Sequence, residues 1–229
     1  MRHRSRQRAP AKLTLSLRVV GRRNDGNHLI DAEMTTLELA DELTFSVGEN
    51  DLAADDLVSR ALVAVGRSAG VHVKVDKQIP VGAGLGGGSA DAAAVLRWAG
   101  CRDLEVAVGL GADVPFCLVG GRARVTGIGE VVEPLPYLER IFTLLTPPFP
   151  VWTPLVYRAW DDMGGPTADG VNDLEPAALR VELRLAQWRD RLGEATGQTP
   201  RLAGSGGTWF VEGSYPEVAG VVVTRTDRP

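Results

Sequence analysis

The protein has 229 residues, 44% of them hydrophobic and 24% charged, which is the composition of an ordinary globular protein with one large domain or two modest ones. The formal net charge of −4 excludes an overall basic surface for a nucleic-acid backbone, and no apolar run is long enough to span a bilayer. The N-terminus also lacks the apolar stretch of a secretory signal, so we expect a cytoplasmic protein without a nucleic-acid or membrane partner.

The first part of the chain is predicted to form strands behind a short basic tail. The tail carries four arginines and is predicted to be a disordered, solubilising end: Arg2, Arg4, Arg6 and Arg8. Residues 12–20 alternate between polar and apolar side chains, which predicts a half-buried strand, and residues 21–28 form a turn-rich loop. Strand character resumes over residues 34–45, with a turn expected at Ala40 and Asp41.

A glycine-rich loop between a strand and a helix is the strongest local signal. Residues 55–69 show helical spacing of apolar side chains, and residues 71–75 alternate as a one-sided strand does. Residues 80–89 then contain five glycines. A helix is predicted over residues 89–99, with its opening serine as the N-cap and Asp91 in its first turn.

The middle of the chain is predicted to hold a short helix and a strand pair. The helix covers residues 104–110, and the strands cover residues 116–125 and 131–135 around a turn at residues 127–130. Four prolines within residues 146–154 indicate a hinge into a second part of the protein.

We expect the chain to divide at this hinge into an N-terminal domain over residues 9–145 and a C-terminal domain over residues 146–229. The second part contains an amphipathic helix, a second glycine loop and two strands, over residues 181–192, 204–207, 208–212 and 218–224. The strands alternate in polarity instead of forming continuous apolar runs, which predicts antiparallel sheet with helices on one face. The expected fold class is therefore α+β.

The two cysteines do not point to chemistry of their own. Cys101 and Cys117 form no C-x-x-C pair and have apolar or glycine neighbours. We expect them to be small buried residues and not members of a disulfide, a metal site or a reactive thiol site. We predict no set of protein side chains that ligates a metal.

The first glycine loop predicts a phosphate cradle. Glycines let backbone N–H groups approach an anion, and a helix that starts next adds its free N–H groups and positive dipole end. A turn that merely links strand to helix is the alternative. Gly82, Gly84 and Gly87 also satisfy the dinucleotide-binding pattern G-x-G-x-x-G, but the preceding strand is not buried on both faces. A Walker A loop is excluded, because no Gly-Lys-Ser/Thr follows the glycines.

Three segments in the same order make the chain resemble the GHMP kinases. They are PAKL at residues 10–13, PVGAGLGGGSAD at residues 80–91 and LAGSGGT at residues 202–208. Three more are similar to the diphosphocytidyl-methylerythritol kinases of that superfamily: RNDGNH at residues 23–28, GADVPF at residues 111–116 and NDLE at residues 172–175. The similarity runs from about residue 9 to residue 212, although the C-terminal part is short for the family.

The resemblance implies both a fold and a reaction. The fold would be the two-domain GHMP kinase fold, with an N-terminal part like domain 2 of ribosomal protein S5 and a ferredoxin-like C-terminal part. In the implied reaction ATP, with Mg²⁺, phosphorylates the 2-hydroxyl of a small molecule, a cytidine-diphosphate-linked methylerythritol. The implied assembly is a monomer or a homodimer.

The resemblance also implies a catalytic pair. Asp113 matches the family's catalytic carboxylate, which accepts or orients the hydroxyl proton. Lys12 is expected beside it, where its charge offsets the charge on the reacting oxygens. Taken without the family, an aspartate after Gly-Ala is often a helix cap, and a lysine that opens a strand is often simply solvated.

The first glycine loop is expected to hold the phosphates of ATP. The residues implied are Pro80, Val81, Gly82, Ala83, Gly84, Leu85, Gly86, Gly87, Gly88, Ser89 and Ala90. Among them, Ser89 is the candidate contact to phosphate or Mg²⁺. The second glycine loop is expected to pack against the first and to help close the site, with a purely structural turn as the alternative.

Four residues are expected to contact the substrate, and two of them depart from the family pattern. Thr14 stands where the family usually has asparagine, and Asn27 stands where it has an aromatic residue that stacks on the cytosine. His28 is expected to hydrogen-bond to the edge of the cytosine. Tyr157 matches the second aromatic wall, with a core position as the alternative. Loss of one stacking ring would cost about 1–3 kcal/mol of binding.

Two other functions remain open from the sequence. One is a GHMP kinase that acts on another small alcohol, which Asn27 allows and which His28 and GADVPF disfavour. The other is a nucleotide-binding protein without catalysis, which the presence of both Lys12 and Asp113 disfavours. Turnover on the cytidine-linked substrate supports the first function, and tests with other small alcohols then separate the remaining two.

Overall fold

Two antiparallel sheets with helices around them make up the computed structural model, which describes residues 4–49 and 51–228. The strands are β1 (Ser5–Arg22), β2 (His28–Val47), β3 (Val71–Asp76), β4 (Arg122–Gly127), β5 (Val131–Leu135), β6 (Ile141–Leu145), β7 (Arg201–Leu202), β8 (Trp209–Glu212) and β9 (Val221–Arg225). The helices are α1 (Leu57–Ala64), α2 (Gly87–Trp98), α3 (Leu104–Leu110), α4 (Val114–Val119), α5 (Thr153–Asp162), α6 (Glu175–Val181) and α7 (Leu185–Thr196). Within those described residues, none of the helices is both long enough and apolar enough to cross a membrane.

The larger sheet has the strand order β1-β2-β4-β5, with β3 paired to the far end of the long strand β2. The alternating side chains of β1 point into the core, where Ala9, Ala11, Leu13, Leu15 and Leu17 are buried. Helix α2 packs on this strand, and its alanines allow a close approach. The predicted antiparallel α+β fold is confirmed.

The smaller sheet has the order β7-β8-β6-β9 and is also antiparallel. Strand β6 comes before the proline-rich segment 146–154, yet it pairs with β8 and β9 of the C-terminal part. The change from one sheet to the other therefore lies before residue 141. The division into domains at residues 145 and 146 stays a prediction.

The predicted turn at Ala40 and Asp41 is wrong, because β2 runs through both residues. The pairing of β1 with β2 has a β-bulge at this point instead of a turn. The register moves from Pro10 opposite Ala40 to Lys12 opposite Thr36, so three residues of β2 face one residue of β1. Asp41 is fully buried at this point of the sheet.

Two boundaries in the sequence prediction are also wrong. Residues 116–119 form the end of α4 and not a strand, since a short apolar run does not distinguish a buried helix from a buried strand. The predicted helix over residues 181–192 is α7, which begins only at Leu185, because Glu182 is extended and ends α6. By contrast, α3 covers the predicted residues 104–110.

The basic N-terminal segment is part of the larger sheet. Arg6 and Arg8 lie in β1, where they form ion pairs with Glu42 and Asp227 at 3.1 Å and 3.0 Å. The predicted disordered tail is therefore wrong for these residues, since strand pairing with β2 orders them. Arg2 lies outside the described residues.

Candidate active site

The first glycine loop (residues 80–90) turns the chain from β3 into α2. Gly82, Gly84 and Gly86 have φ values of 72°, 77° and 70°, a region that residues with a side chain rarely adopt. Gly86 directly precedes α2, so the first N–H groups of α2 face this loop without partners inside the helix. Ser89 is therefore not the predicted N-cap. It lies in the first turn, because the glycines start the helix earlier.

The two glycine loops are packed backbone against backbone. A Cβ atom on Gly84 would lie 2.6 Å from the Cα of Gly206, and a Cβ on Gly206 would lie 2.1 Å from the Cα of Gly84. The N–H of Thr208 donates to the carbonyl of Ala83 at 3.1 Å. The predicted packing of the second loop against the first is confirmed, and it requires glycine at both contact positions.

Lys12 lies under the first glycine loop. Its backbone N–H donates to the carbonyl of Leu85 at 3.0 Å. Its Nζ lies 3.2 Å from Oδ2 of Asp113 and donates to Oγ1 of Thr14 at 3.1 Å. A Cβ on Gly86 would lie 2.7 Å from Cγ of Lys12, so this glycine leaves room for the lysine side chain. The structure thus brings both predicted catalytic residues together, with Thr14 beside them.

Asp113 directly precedes α4 but does not cap it through its side chain. Its carboxylate interacts with Lys12 instead, so the geometry does not support the helix-cap alternative. The side chain of Lys12 is 7% exposed and that of Asp113 is 33% exposed. The pair therefore presents a carboxylate to solvent with a buried cation behind it.

A cleft of about 630 Å³, the glycine cleft, extends from this pair along the first glycine loop. It is lined by Lys12, Leu52, Asp56, Leu57, Val58, Val75, Lys77, Ile79, every residue from Pro80 to Ser89, Asp91, Asp113, Thr153 and Ser205. Of the predicted phosphate-binding residues, Ala90 is buried and absent from this lining. Thr153 and Ser205 form a hydroxyl–hydroxyl hydrogen bond of 2.8 Å that joins α5 to the second glycine loop.

A buried charge cluster supports the floor of the glycine cleft. Lys77 Nζ donates to Asp41 and, at 2.8 Å, to Asp91. Asp41 also accepts the N–H of Ile79 at 2.8 Å, which holds the chain just before the loop. Asp91 lies beyond the first turn of α2, so its predicted position is wrong. This cluster is not predictable from the sequence, because its three members are distant along the chain and match no motif.

Burial decides the protonation behaviour of the cluster. It raises the pKa of the Asp91 carboxyl to about 7, although the hydrogen bond and charge of Lys77 act in the opposite direction. Burial lowers the pKa of Lys77, but the two carboxylates outweigh it and the pKa ends above its usual value. Oδ1 of Asp91 is buried without a hydrogen-bond partner among the described residues.

The predicted substrate residues His28 and Tyr157 lie together in a second part of the site. Their rings stack with centroids 4.7 Å apart, and Trp160 contacts His28 edge-on at 5.6 Å. Burial raises the pKa of the Tyr157 hydroxyl, and the charge of Asp113 raises it further. Asn27 is exposed in the loop between β1 and β2, and its N–H donates to Asp25 at 3.1 Å.

The NDLE segment holds the second glycine loop in place. Asn172 is buried and donates through Nδ2 to the carbonyls of Leu202 and Gly204, at 3.0 Å and 2.7 Å. Asp173 pairs with Arg18 of β1 at 2.7 Å. These contacts tie the loop to the strand that carries Lys12, so this segment positions the site without lining the glycine cleft.

Over residues 4–49 and 51–228, no group of three or more histidine, cysteine or acidic residues could hold a metal ion. The residues that line the glycine cleft and carry side-chain oxygen donors are Asp56, Ser89, Asp91, Asp113, Thr153 and Ser205. Cys117 is buried and Cys101 is half-buried, and both are free thiols. Burial raises the pKa of Cys117 to about 12, which makes it an unreactive thiol at neutral pH.

Known proteins with similar sequences are kinases. Residues 53–121 match the GHMP kinases N terminal domain. A 4-diphosphocytidyl-2-C-methyl-D-erythritol kinase of Paracoccus denitrificans (strain Pd 1222) is 38% identical over 238 residues, which cover 90% of this chain and 85% of that protein. The kinase of the same name from Granulibacter bethesdensis is 36% identical over 259 residues, with coverages of 92% and 86%.

Known structures share the fold. A crystal structure of 4-(cytidine 5'-diphospho)-2C-methyl-D-erythritol kinase is 30% identical and superposes with a TM-score of 0.80, covering 98% of this chain and 100% of that chain. An L. major mevalonate kinase in complex with R-mevalonate is 11% identical, with a TM-score of 0.60 and coverages of 98% and 96%. The predicted two-domain GHMP kinase fold is confirmed by these similarities.

Proposed function

Because the chain belongs to the 4-diphosphocytidyl-2-C-methyl-D-erythritol kinase family of GHMP kinases, we propose that Lys12 and Asp113 carry its transfer of the γ-phosphoryl group of ATP. The acceptor is the 2-hydroxyl of 4-diphosphocytidyl-2-C-methyl-D-erythritol, in a step of the non-mevalonate isoprenoid pathway. The observation that carries the assignment is the contact of 3.2 Å between Lys12 Nζ and Asp113 Oδ2 at the end of the glycine cleft.

Asp113 accepts or orients the proton of the attacking hydroxyl. Its carboxylate is the more exposed member of the pair, so an alcohol can reach it. Lys12 is held from two sides, by Asp113 and by Thr14, and supplies a fixed positive charge where negative charge develops on the reacting oxygens. The hydroxyl of Thr14 accepts a hydrogen bond from Lys12. Thr14 therefore affects the substrate by keeping the lysine in position.

The first glycine loop binds the phosphates of ATP. The glycines at 82, 84 and 86 and the N-terminus of α2 present backbone N–H groups and a positive dipole end to the glycine cleft. Mg²⁺ commonly takes one or two protein oxygens together with phosphate oxygens and waters, and the Ser89 hydroxyl meets that need. When bound, Mg²⁺ neutralises charge on the phosphates. Lys77, with its two carboxylates, keeps the floor of the cleft in position.

The cytidine moiety of the substrate binds at His28 and Tyr157. His28 begins β2 and Tyr157 lies in α5, and their two rings stack on each other. Asn27 supplies no ring, so a stacking contribution of about 1–3 kcal/mol is missing on that side. The existing rings and the histidine edge then carry recognition of the base.

The experiment is ADP release by the purified protein with Mg-ATP and 4-diphosphocytidyl-2-C-methyl-D-erythritol, with Asp113→Asn as the test variant. We expect wild-type turnover, and a loss of about 10²–10⁴-fold in kcat for the variant with ATP binding retained. Asp190→Asn makes the same change at an exposed position of α7 and serves as the control.

Two results would contradict the proposal. ATP binding without turnover on this substrate, but with turnover on another small alcohol, would assign a different acceptor. Full activity of Asp113→Asn would show that the carboxylate takes no part in the reaction.

We also propose that the protein works in the cytoplasm, where ATP is available, as a monomer or a homodimer. Sedimentation velocity distinguishes the two oligomeric states.

A further inference from the structure

One carboxylate, Asp161 of α5, faces the ring of His28 and has no role in the chemistry described so far. Its Oδ1 lies 2.8 Å from Nε2 of His28. An ionised carboxylate only accepts hydrogen bonds, so this contact requires a proton on Nε2. Arg22 lies 3.5 Å from the other oxygen of Asp161 and adds a positive charge beside it.

We infer that Asp161 holds His28 in the tautomer that carries its proton on Nε2, and that the site thereby selects a pyrimidine with an amino group over one with a carbonyl. Asp161 is thus a positioning residue for base specificity. This inference rests on the proposed function, because it concerns the base of the same substrate.

The ring of His28 is held from three sides. Tyr157 stacks on one face with an interplanar angle of 29°, and Trp160 meets the ring edge-on at 84°. The side chain of His28 is only 11% exposed. Since His28 and Tyr157 are in direct contact, no third ring fits between them. A base therefore meets this pair at the edge or outer face of the histidine.

The free atom of the ring determines what can bind at that edge. Within the part of the chain that the structure describes, Nδ1 of His28 makes no hydrogen bond. A neutral imidazole with its proton on Nε2 offers an acceptor at Nδ1. Cytosine presents an amino donor at position 4, whereas uracil presents a carbonyl acceptor there. The first pairs with Nδ1, and the second faces it acceptor to acceptor.

The position of Asn27 makes this edge contact more important. An aromatic side chain at that position would bind any pyrimidine through its face, without distinguishing the substituent at position 4. Asn27 is exposed and has no ring. The part of the binding free energy that is the same for every base is therefore smaller. Recognition shifts toward the hydrogen bond at His28.

The test variant is Asp161→Asn, and its matched control is Asp162→Asn on the exposed neighbouring residue. An asparagine amide can donate to Nε2 as well as accept from it, so His28 can move its proton to Nδ1. We measure kcat/KM for the cytidine-linked substrate and for its uridine-linked analogue. The expected result is a fall of at least about tenfold in the cytidine-to-uridine ratio for Asp161→Asn, mainly through KM. The control variant and Asp161→Glu keep a ratio close to that of the wild type.

A second readout does not depend on activity. Ring ¹⁵N chemical shifts report which nitrogen of His28 is protonated, and His28→Gln identifies its signals among the three histidines. We expect an unprotonated Nδ1 in the wild type and a mixture in Asp161→Asn. A protonated Nδ1 in the wild type, or an unchanged substrate ratio in Asp161→Asn, overturns the inference. If the wild type phosphorylates neither substrate, the proposed function fails, whereas the ¹⁵N shifts still decide the tautomer.

Discussion

Lys12 is the residue at which the contacts of the site converge. Its backbone hydrogen-bonds to the first glycine loop, and its ammonium group contacts Asp113 and Thr14. A buried charge is costly unless it is paired, so Asp113 contributes to the stability of the lysine position in addition to the role we propose for it in the reaction. One ion pair therefore links the fold of β1 to the chemistry of the glycine cleft.

Asp91 makes stability depend on pH in an unusual direction for a carboxylate. Burial raises its pKa in the folded protein to about 7, while the unfolded chain ionises near its usual value of 3.8. Between these values the folded state retains a proton that the unfolded state releases, so this group makes stability fall as pH rises through that window. Above about pH 7 the carboxylate is ionised in both states and the loss is complete.

We predict that Asp91→Asn removes this pH dependence. Wild type should lose about 2 kcal/mol more unfolding free energy than the variant between about pH 5 and about pH 8, since each pKa unit corresponds to about 1.4 kcal/mol. Urea unfolding at both pH values measures it, with Asp190→Asn as the control at an exposed site. Parallel losses in wild type and Asp91→Asn would show that Asp91 is ionised at both pH values in the folded protein.

The two glycine loops act as one structural element. Neither has side chains at the contact between Gly84 and Gly206, and the hydrogen bond from Thr208 to Ala83 joins their backbones. The position of the first glycine loop therefore depends on a segment about 120 residues later, and Asn172 in turn holds the latter. A change in the second loop is transmitted to the first through direct contact.

We predict that Gly206→Ala weakens both stability and nucleotide binding. Its Cβ would lie 2.1 Å from the Cα of Gly84, so one loop must move, at a cost of about 1–3 kcal/mol. Urea unfolding gives the stability change, and calorimetric titration with Mg-ATP gives the affinity. The backbone of Gly206 is not in the left-handed region, so the effect is one of space alone.

Gly109→Ala is the matched control for this substitution. A Cβ on Gly109 meets no atom within 4 Å, and the residue lies inside α3, away from the lining of the glycine cleft. We expect unchanged ATP affinity and a small gain in stability of about 0.5–1 kcal/mol from better helix propensity. Equal behaviour of the two alanine variants would contradict the contact between the loops.

The local sequence pattern predicts helices and strands correctly only where it fits one type of secondary structure. Helix α3 has an aspartate N-cap at Asp103 and a glycine after its end, and its predicted bounds are correct. Residues 116–119 at the end of helix α4 are predicted as the start of a strand, because a short apolar run before a glycine fits either structure. Packing against α2 and β1 decides it in the folded protein.

At the scale of the whole molecule, residues 226 and 227 join the two sheets. Thr226 forms a bridge with Leu37 in the bulge of β2, and the N–H of Asp227 donates to the carbonyl of Thr36. The hydroxyl of Thr226 accepts from the N–H of Arg140 at 3.1 Å and donates to the carbonyl of Leu138 at 2.9 Å. The two sheets therefore share a buried polar contact at this point.

We predict that Thr226→Val destabilises the protein by about 1–3 kcal/mol. Valine keeps the shape but leaves the N–H of Arg140 and the carbonyl of Leu138 without their partner. Thermal and urea unfolding measure the loss. Thr167→Val on an exposed loop residue is the control, with an expected change within about 0.5 kcal/mol. If Thr226→Val is as stable as this control, the hydrogen bonds of the Thr226 hydroxyl do not stabilise the contact between the two sheets.

The family, the antiparallel strands and the positions of both glycine loops were predictable from the amino-acid sequence, because they follow from spacing and from motifs that are contiguous in the chain. The sequence also placed Lys12 and Asp113 among the candidates. The charge cluster at Lys77 and the pairing of His28 with Asp161, 133 residues apart, became evident only in the folded protein. Such contacts depend on how strands and helices pack, and no local pattern of residues encodes the distance between two side chains that meet only in the folded protein.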